Sequence, residues 1–155
     1  MRRTLTSLVL LCSLTFVAKA QEAPGREPVR LPLELLPDTL AICRLGPQAP
    51  VPAWAAESSG FLTISRSADE LSIMTVQRAV PAGARCERDY QAIRVRGPLS
   101  PNLVGILLSI LKPLAEAGLS ILAISTYDTD YIFVKTRHLT AALNALQRAG
   151  HQITS

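Results

Sequence analysis

From Tyr90 to the C-terminus the hydrophobic pattern alternates between the strand period and the helix period in an order that admits few folds. Tyr90–Arg96 alternates like a half-buried strand, with Ile93 and Val95 on one face and Arg94 and Arg96 on the other. Residues 100–117 carry Leu103, Ile106, Leu107, Ile110, Leu111 and Leu114 at three- and four-residue steps, which draws one apolar stripe along a helix. Ser100 is placed to cap that helix and Pro101 suits its first position. Pro113 should kink it and Gly118 should close it. Two strands follow, at 120–126 and 131–135. A last helix is expected after a Thr136 cap, with Leu139, Ala142, Leu143, Leu146 and Ala149 as its stripe and Gly150 as its stop. Residues 151–154 suit a final short strand. A βαββαβ order predicts an α+β fold of the ferredoxin-like kind, an antiparallel sheet with its helices on one face.

The residues before Tyr90 read as a shortened copy of this unit. AESSGFLTISRSADELSIMTV lies over AEAGLSILAISTYDTDYIFV at a spacing of 60, which sets Ile64-Ser65 on Ile124-Ser125 and Glu70 on Asp130. The copy offers a strand at 40–45, broken by Pro47, Pro50 and Pro52, and a short helix in VPAWAAES that ends at Gly60. Strands at 61–65 and 71–76 follow, joined by the turn RSADE, and 81–88 is a loop. The copy lacks a second helix and a last strand. It is therefore expected to pack beside the complete unit as one body.

The N-terminus reads as a targeting segment. Arg2 and Arg3 precede an apolar run from Leu5 to Val17, and Ala18-Lys19-Ala20 offers small residues at a cleavage site. Residues 1–20 are expected to be a cleaved signal peptide, too short to remain as a spanning helix, so the mature protein is expected in the periplasm or secreted. A start codon placed too early is the other reading, and it would give a cytoplasmic protein. Residues 21–32, QEAPGREPVRLP, read as a linker. Without residues 1–20 the formal charge falls from +4 to +1. Arg85, Arg88, Arg94 and Arg96 are interrupted by Glu87 and Asp89 and read as a solvated face, so no nucleic-acid partner is expected. An oxidising compartment would permit Cys43 and Cys86 to pair, but Cys43 lies inside the apolar run LAICRL and reads as a small core residue.

Residues 125–135, STYDTDYIFVK, place Asp128 and Asp130 between two tyrosines in what is otherwise a hairpin. Turn chemistry alone accounts for such acids in many hairpins. No nucleophile–base arrangement, phosphate loop, metal-ligand spacing or cofactor motif accompanies them, so neither catalysis nor a cofactor is expected.

With VPAWA, HLTAALNALQRAGH and GPLSPNLVGILLSILKPLAEAGLSILAISTYDTDYIFVK on the page, the chain resembles the small bacterial proteins with paired ACT modules, relatives of the arginine-sensing ACT proteins of the TOR pathway in animals. The resemblance implies tandem ACT-like modules, a shortened one at 33–88 and a complete one at 89–154. It also implies a non-catalytic regulatory role and a small ligand, usually an amino acid, where two modules meet. Carried over by motif, the ligand-binding residues are Asn102, Leu103, Val104 and Gly105 on one side. Ser125, Thr126, Tyr127, Asp128, Thr129 and Asp130 stand on the other. Related proteins commonly show Thr-Gly where this chain has Val104-Gly105.

The chemistry is that of a zwitterion. Backbone N–H groups at a helix start suit its carboxylate, and Asp128, Asp130 and strand-end carbonyls suit its ammonium. A structural module that has lost its ligand and pairs as a homodimer, or an accessory subunit of an amino-acid enzyme, are the alternatives.

Overall fold

The computed structural model describes residues 29–100 and 102–154. The expected signal peptide, most of the linker and Pro101 lie outside them. The elements are β1 (Pro32–Leu45), α1 (Ala53–Ala56), β2 (Leu62–Arg66), β3 (Leu71–Val76), β4 (Cys86–Val95), α2 (Ile106–Glu116), β5 (Ile121–Ser125), β6 (Asp130–Lys135), α3 (Leu139–Arg148) and β7 (Gln152–Thr154). Short 3-10 turns occupy Gln77–Ala79 and Thr136–His138. Among the described residues no helix is long and apolar enough to cross a membrane.

The strands make one sheet in the order β2-β3-β1-β4-β6-β5, antiparallel throughout, and β7 joins β1 in parallel. The predicted α+β fold is therefore present, with one difference in its wiring. A lone βαββαβ unit would set its last strand against its first. Here the front of β1 takes that place: Leu33 faces Val95 of β4 on one side and Ile153 of β7 on the other. The rear of β1 lies between β4 and β3, with Cys43 opposite both Cys86 and Ile73. One long strand thus serves both halves of the chain. Its front was unreadable as a strand because Pro32 and Pro37 interrupt the pattern. Pro37 sits where the register against β4 shifts, between Leu35 and Thr39, so its missing N–H leaves no ladder bond unmade. Leu31, expected in the linker, is already buried.

The two faces of the sheet have different cores. Leu33, Ile93, Val95, Ile132 and Val134 face Ile106, Ile110 and Leu114 of α2 and Ala142 and Leu146 of α3. On the same side farther along, Ala55 of α1 packs on Leu71 and Ile73, with Trp54 beside them. On the other side Met74 and Val76 of β3 share a cluster with Ala92 and Phe133, and Leu122 and Ile124 of β5 pack against it. Strands from opposite ends of the order meet there, so the sheet is curled. Phe61 closes the curl, its ring 4.9 Å from Tyr131 and 5.3 Å from Phe133.

Helix α2 begins six residues later than the stripe suggested, at Ile106 rather than Ser100. Leu103 and Val104 are exposed, and Gly105, at φ +90°, turns the chain into the helix. No side chain caps this start. Thr136 caps nothing in α3 either; its hydroxyl donates to the Asp89 carbonyl. Both helices end as expected at glycine. Leu119 N–H reaches Leu114 O at 3.0 Å past Gly118, and His151 N–H reaches Leu146 O at 3.1 Å past Gly150.

Pro113 does lie inside α2, and it leaves a consequence in the packing. Proline has no N–H for the carbonyl four residues earlier, that of Ser109. The buried ring of His151 fills the place: its Nε2 lies 3.0 Å from Ser109 O, and its Nδ1 accepts the Leu31 N–H at 3.2 Å. The two bonds together require the neutral tautomer with the proton on Nε2.

Cys43 and Cys86 are bonded to each other. The expectation of a free core thiol at Cys43 is corrected, although the residue is also buried. Register decides this, because the β1–β4 pairing sets Cys43 directly across from Cys86.

Candidate functional site

The hairpin between β5 and β6 is built by its own side chains. Thr126 N–H donates to Thr129 O at 2.8 Å, and the Thr126 hydroxyl accepts the Thr129 N–H at 3.3 Å. Ser125 donates to Asp130 Oδ1 at 2.5 Å across the last pair of the ladder. The Asp130 carboxylate is thereby tied into the turn. No group among the described residues hydrogen-bonds the Asp128 carboxylate.

The hairpin is pinned to the end of β4. Leu99 N–H donates to the Asp128 carbonyl at 2.8 Å, and the Thr129 hydroxyl donates to Val95 O. Gly97 makes the approach possible, since a Cβ there would lie 2.7 Å from the Asp128 carbonyl oxygen.

Two open clefts flank this pinned turn. The first, of about 630 Å³, lies between the Ser125–Asp130 segment and the chain from Leu99 to Leu108. It brings together nine of the ten predicted residues: Leu103, Val104 and Gly105 face Ser125, Thr126, Tyr127, Asp128, Thr129 and Asp130. Asn102 is absent from its lining. Because α2 starts at Ile106, the open N–H groups belong to Ile106, Leu107 and Leu108 rather than to Asn102–Gly105. Every lining residue comes from the second half of the chain. This cleft is therefore internal to the complete module. Its rim is apolar and exposed, with Leu103 at 53%, Val104 at 64%, Leu108 at 67% and Tyr127 at 99%.

The second cleft, of about 610 Å³, lies behind the hairpin and is lined by Arg94, Arg96, Gly97, Pro98, Thr126, Asp128, Thr129 and Tyr131. Sequence reading passed over it by treating Arg94 and Arg96 as a solvated face. Alternation along β4 was the available signal, because it sets both arginines on one side. Arg94 pairs with Glu34, its register partner on β1. Glu34 first, and then Tyr131, hold its guanidinium above the ordinary arginine value. Tyr131 lines this cleft and also packs on Phe61. Among the described residues no three His, Cys, Asp or Glu side chains form a metal-holding group.

The internal repeat changes the meaning of Asp128. β2 starts at Leu62 and β5 at Ile121; β3 starts at Leu71 and β6 at Asp130. The structural spacing is therefore 59, not the 60 read from sequence. A slip of one residue in a strand exchanges its faces. Ile64 matches Ala123, not Ile124, and Asp128 has a counterpart in Asp69. The two turns are alike: Ser67 N–H donates to Glu70 O at 2.9 Å, and Asp69 O accepts from Arg44 as Asp128 O accepts from Leu99.

Comparison with known proteins follows the same division of the chain. Residues 85–148 match the ACT domain family model, and a second model, of an N-terminal domain, matches residues 38–83. No curated protein matches. Among solved structures, the protein Atu0741 from Agobacterium tumefaciens is 32% identical with a TM-score of 0.77, over 81% of this chain and 93% of that one. VC0802 from Vibrio cholerae, a protein of unknown function described as a possible transport protein, is 22% identical with a TM-score of 0.64, over 77% and 89%. The regulatory subunit of aspartate kinase from Thermus thermophilus shares the fold at 16% identity and a TM-score of 0.57, over 78% and 99%.

Proposed function

Because this chain belongs to the same family as Atu0741 and carries an ACT domain over residues 85–148, we propose that it is a regulatory module that binds a free amino acid at the β5–β6 hairpin and passes that state to a partner. One observation carries the reading. Of the two hairpin acids, Asp130 is tied to Ser125, whereas Asp128 presents an uncommitted carboxylate in the wall between two clefts. An ammonium group is the ligand chemistry that such a carboxylate receives best. The relation to the animal arginine sensors rests on sequence motifs and makes arginine one member of the panel to test.

Export belongs to the same proposal. The Cys43–Cys86 bond supports it, since such bonds persist in oxidising compartments. An exported form would have Gln21 as its first residue in N-terminal sequencing, and a mature Met1 would remove that part of the reading.

The function is tested by thermal unfolding of the full chain against the twenty common amino acids at millimolar concentration. A ligand at a hundredfold excess over its Kd stabilises by about 2.7 kcal/mol, a rise of several degrees in Tm. Asp128→Asn should remove most of that rise without changing the Tm of the free protein. A flat panel for the wild type would sink the reading.

The apolar rim favours a second reading, an association surface for another copy or an enzyme subunit. Four exposed apolar side chains on one cleft edge are the kind of patch that marks an interface. Sedimentation should then show self-association at micromolar concentration, weakened by Leu108→Glu. A wild-type monomer that also captures no partner from its host would leave the rim unexplained by this reading.

A further inference from the structure

The cleft behind the hairpin carries charges of both signs, and the first cleft carries only acids. Arg94 and Arg96 leave β4 on one side and both line it, together with Asp128. Arg94 is already committed, to Glu34 across one strand pair and toward Tyr131 across the other. Arg96 makes no ion pair or side-chain hydrogen bond among the described residues. Its backbone is fixed by the bond from its N–H to Pro32 O at 2.9 Å. A further donor stands idle beside it: Arg94 Nε is shut off from solvent and has no acceptor among the described residues. Since Glu34 already balances Arg94, the uncommitted charges are one guanidinium and one carboxylate. A simple anion would meet Asp128 and a simple cation would meet Arg96, each repelled. A small molecule carrying both charges satisfies both.

We infer that Arg96 receives the α-carboxylate of an amino acid whose ammonium sits at Asp128, so that the ligand's head lies in the arginine cleft. The inference rests on the proposed function and names its specificity-determining residue. A guanidinium offers a carboxylate two parallel N–H donors, which fixes orientation as well as affinity. The backbone that carries each pole is held in place before any ligand arrives. Gly97, Leu99 and Thr129 lock the hairpin to the end of β4, and Pro32 holds Arg96 at the same strand end. The competing receiver is the uncapped start of α2, which opens on the other cleft among exposed apolar side chains.

The two receivers are separated with the full-length protein, the twenty amino acids and their carboxamides, which keep the ammonium and lack the carboxylate. Calorimetric titration of the amino acid that gives the largest thermal shift is expected to show Arg96→Gln weakening binding about tenfold or more, with Arg96→Lys recovering part of the loss. The matching carboxamide should bind wild type and Arg96→Gln alike. The Tm of the unliganded variant should stay at the wild-type value, because Arg96 is exposed and its side chain has no partner among the described residues. Equal Kd values for wild type and Arg96→Gln would overturn the inference and leave the amino-acid reading standing. A wild type that binds none of the panel would overturn both.

Discussion

Replacing His151 by alanine is expected to cost about 2–4 kcal/mol of folding stability, read as a lower denaturant midpoint with an unchanged slope. The histidine is buried and serves two backbone groups: the Leu31 N–H at the start of β1 and the Ser109 carbonyl that Pro113 leaves open in α2. Deleting the ring strands a donor and an acceptor in the interior, each costing about 1–3 kcal/mol. Pro113→Ala gives an internal check. It supplies the helix with its own N–H for Ser109, so His151→Ala should cost less in that background, by about 1 kcal/mol. Equal costs in both backgrounds would show that the histidine does not stand in for the proline.

Breaking the Cys43–Cys86 bond should cost a similar amount, about 2–4 kcal/mol, by relieving the unfolded chain of a closed loop. The residues are 43 apart in sequence and lie on β1 and β4, the strands along which the two halves of the chain join. The Cys43→Ser/Cys86→Ser double variant should therefore melt on the order of 10 °C lower. Reductant should bring the wild type to the same temperature and leave the variant unmoved. Titratable thiols at Cys43 and Cys86 in the untreated wild type would refute the bond outright.

Much of the second half was readable because its patterns are local. β6, the stripe of α3, the glycine stops at 118 and 150 and the final strand all follow from residues near one another in sequence. The start of α2 was misjudged because Leu103 continues the three-and-four spacing, and spacing cannot tell a buried leucine from an exposed one. The front of β1 was missed because two prolines break the alternation, and only the neighbouring strands show that the break falls at a register shift. The repeat was recognised one residue out of step. An alignment by residue type rewards Ile64 on Ile124, whereas strand pairing sets faces and thereby assigns Ile64 to Ala123.

The site divides in the same way. The sequence by itself determined that residues 125–130 form a polar hairpin and that a loop rich in small and apolar residues precedes a helix nearby. Turn residues and helical periodicity act over a few positions, so no distant contact is needed to read them. The sequence did not determine which acid is available. Asp128 and Asp130 look alike in the chain, and Asp69 holds the same place in the first turn as Asp128 holds in the second. Only the tertiary structure pins the turn to Gly97 and Leu99 and sets Asp128 and Arg96 in the lining of one cleft. Those relations depend on β4 and β6, distant in sequence, being placed side by side in one register. Register is set by the summed burial of both sheet faces, a property of the whole curled sheet.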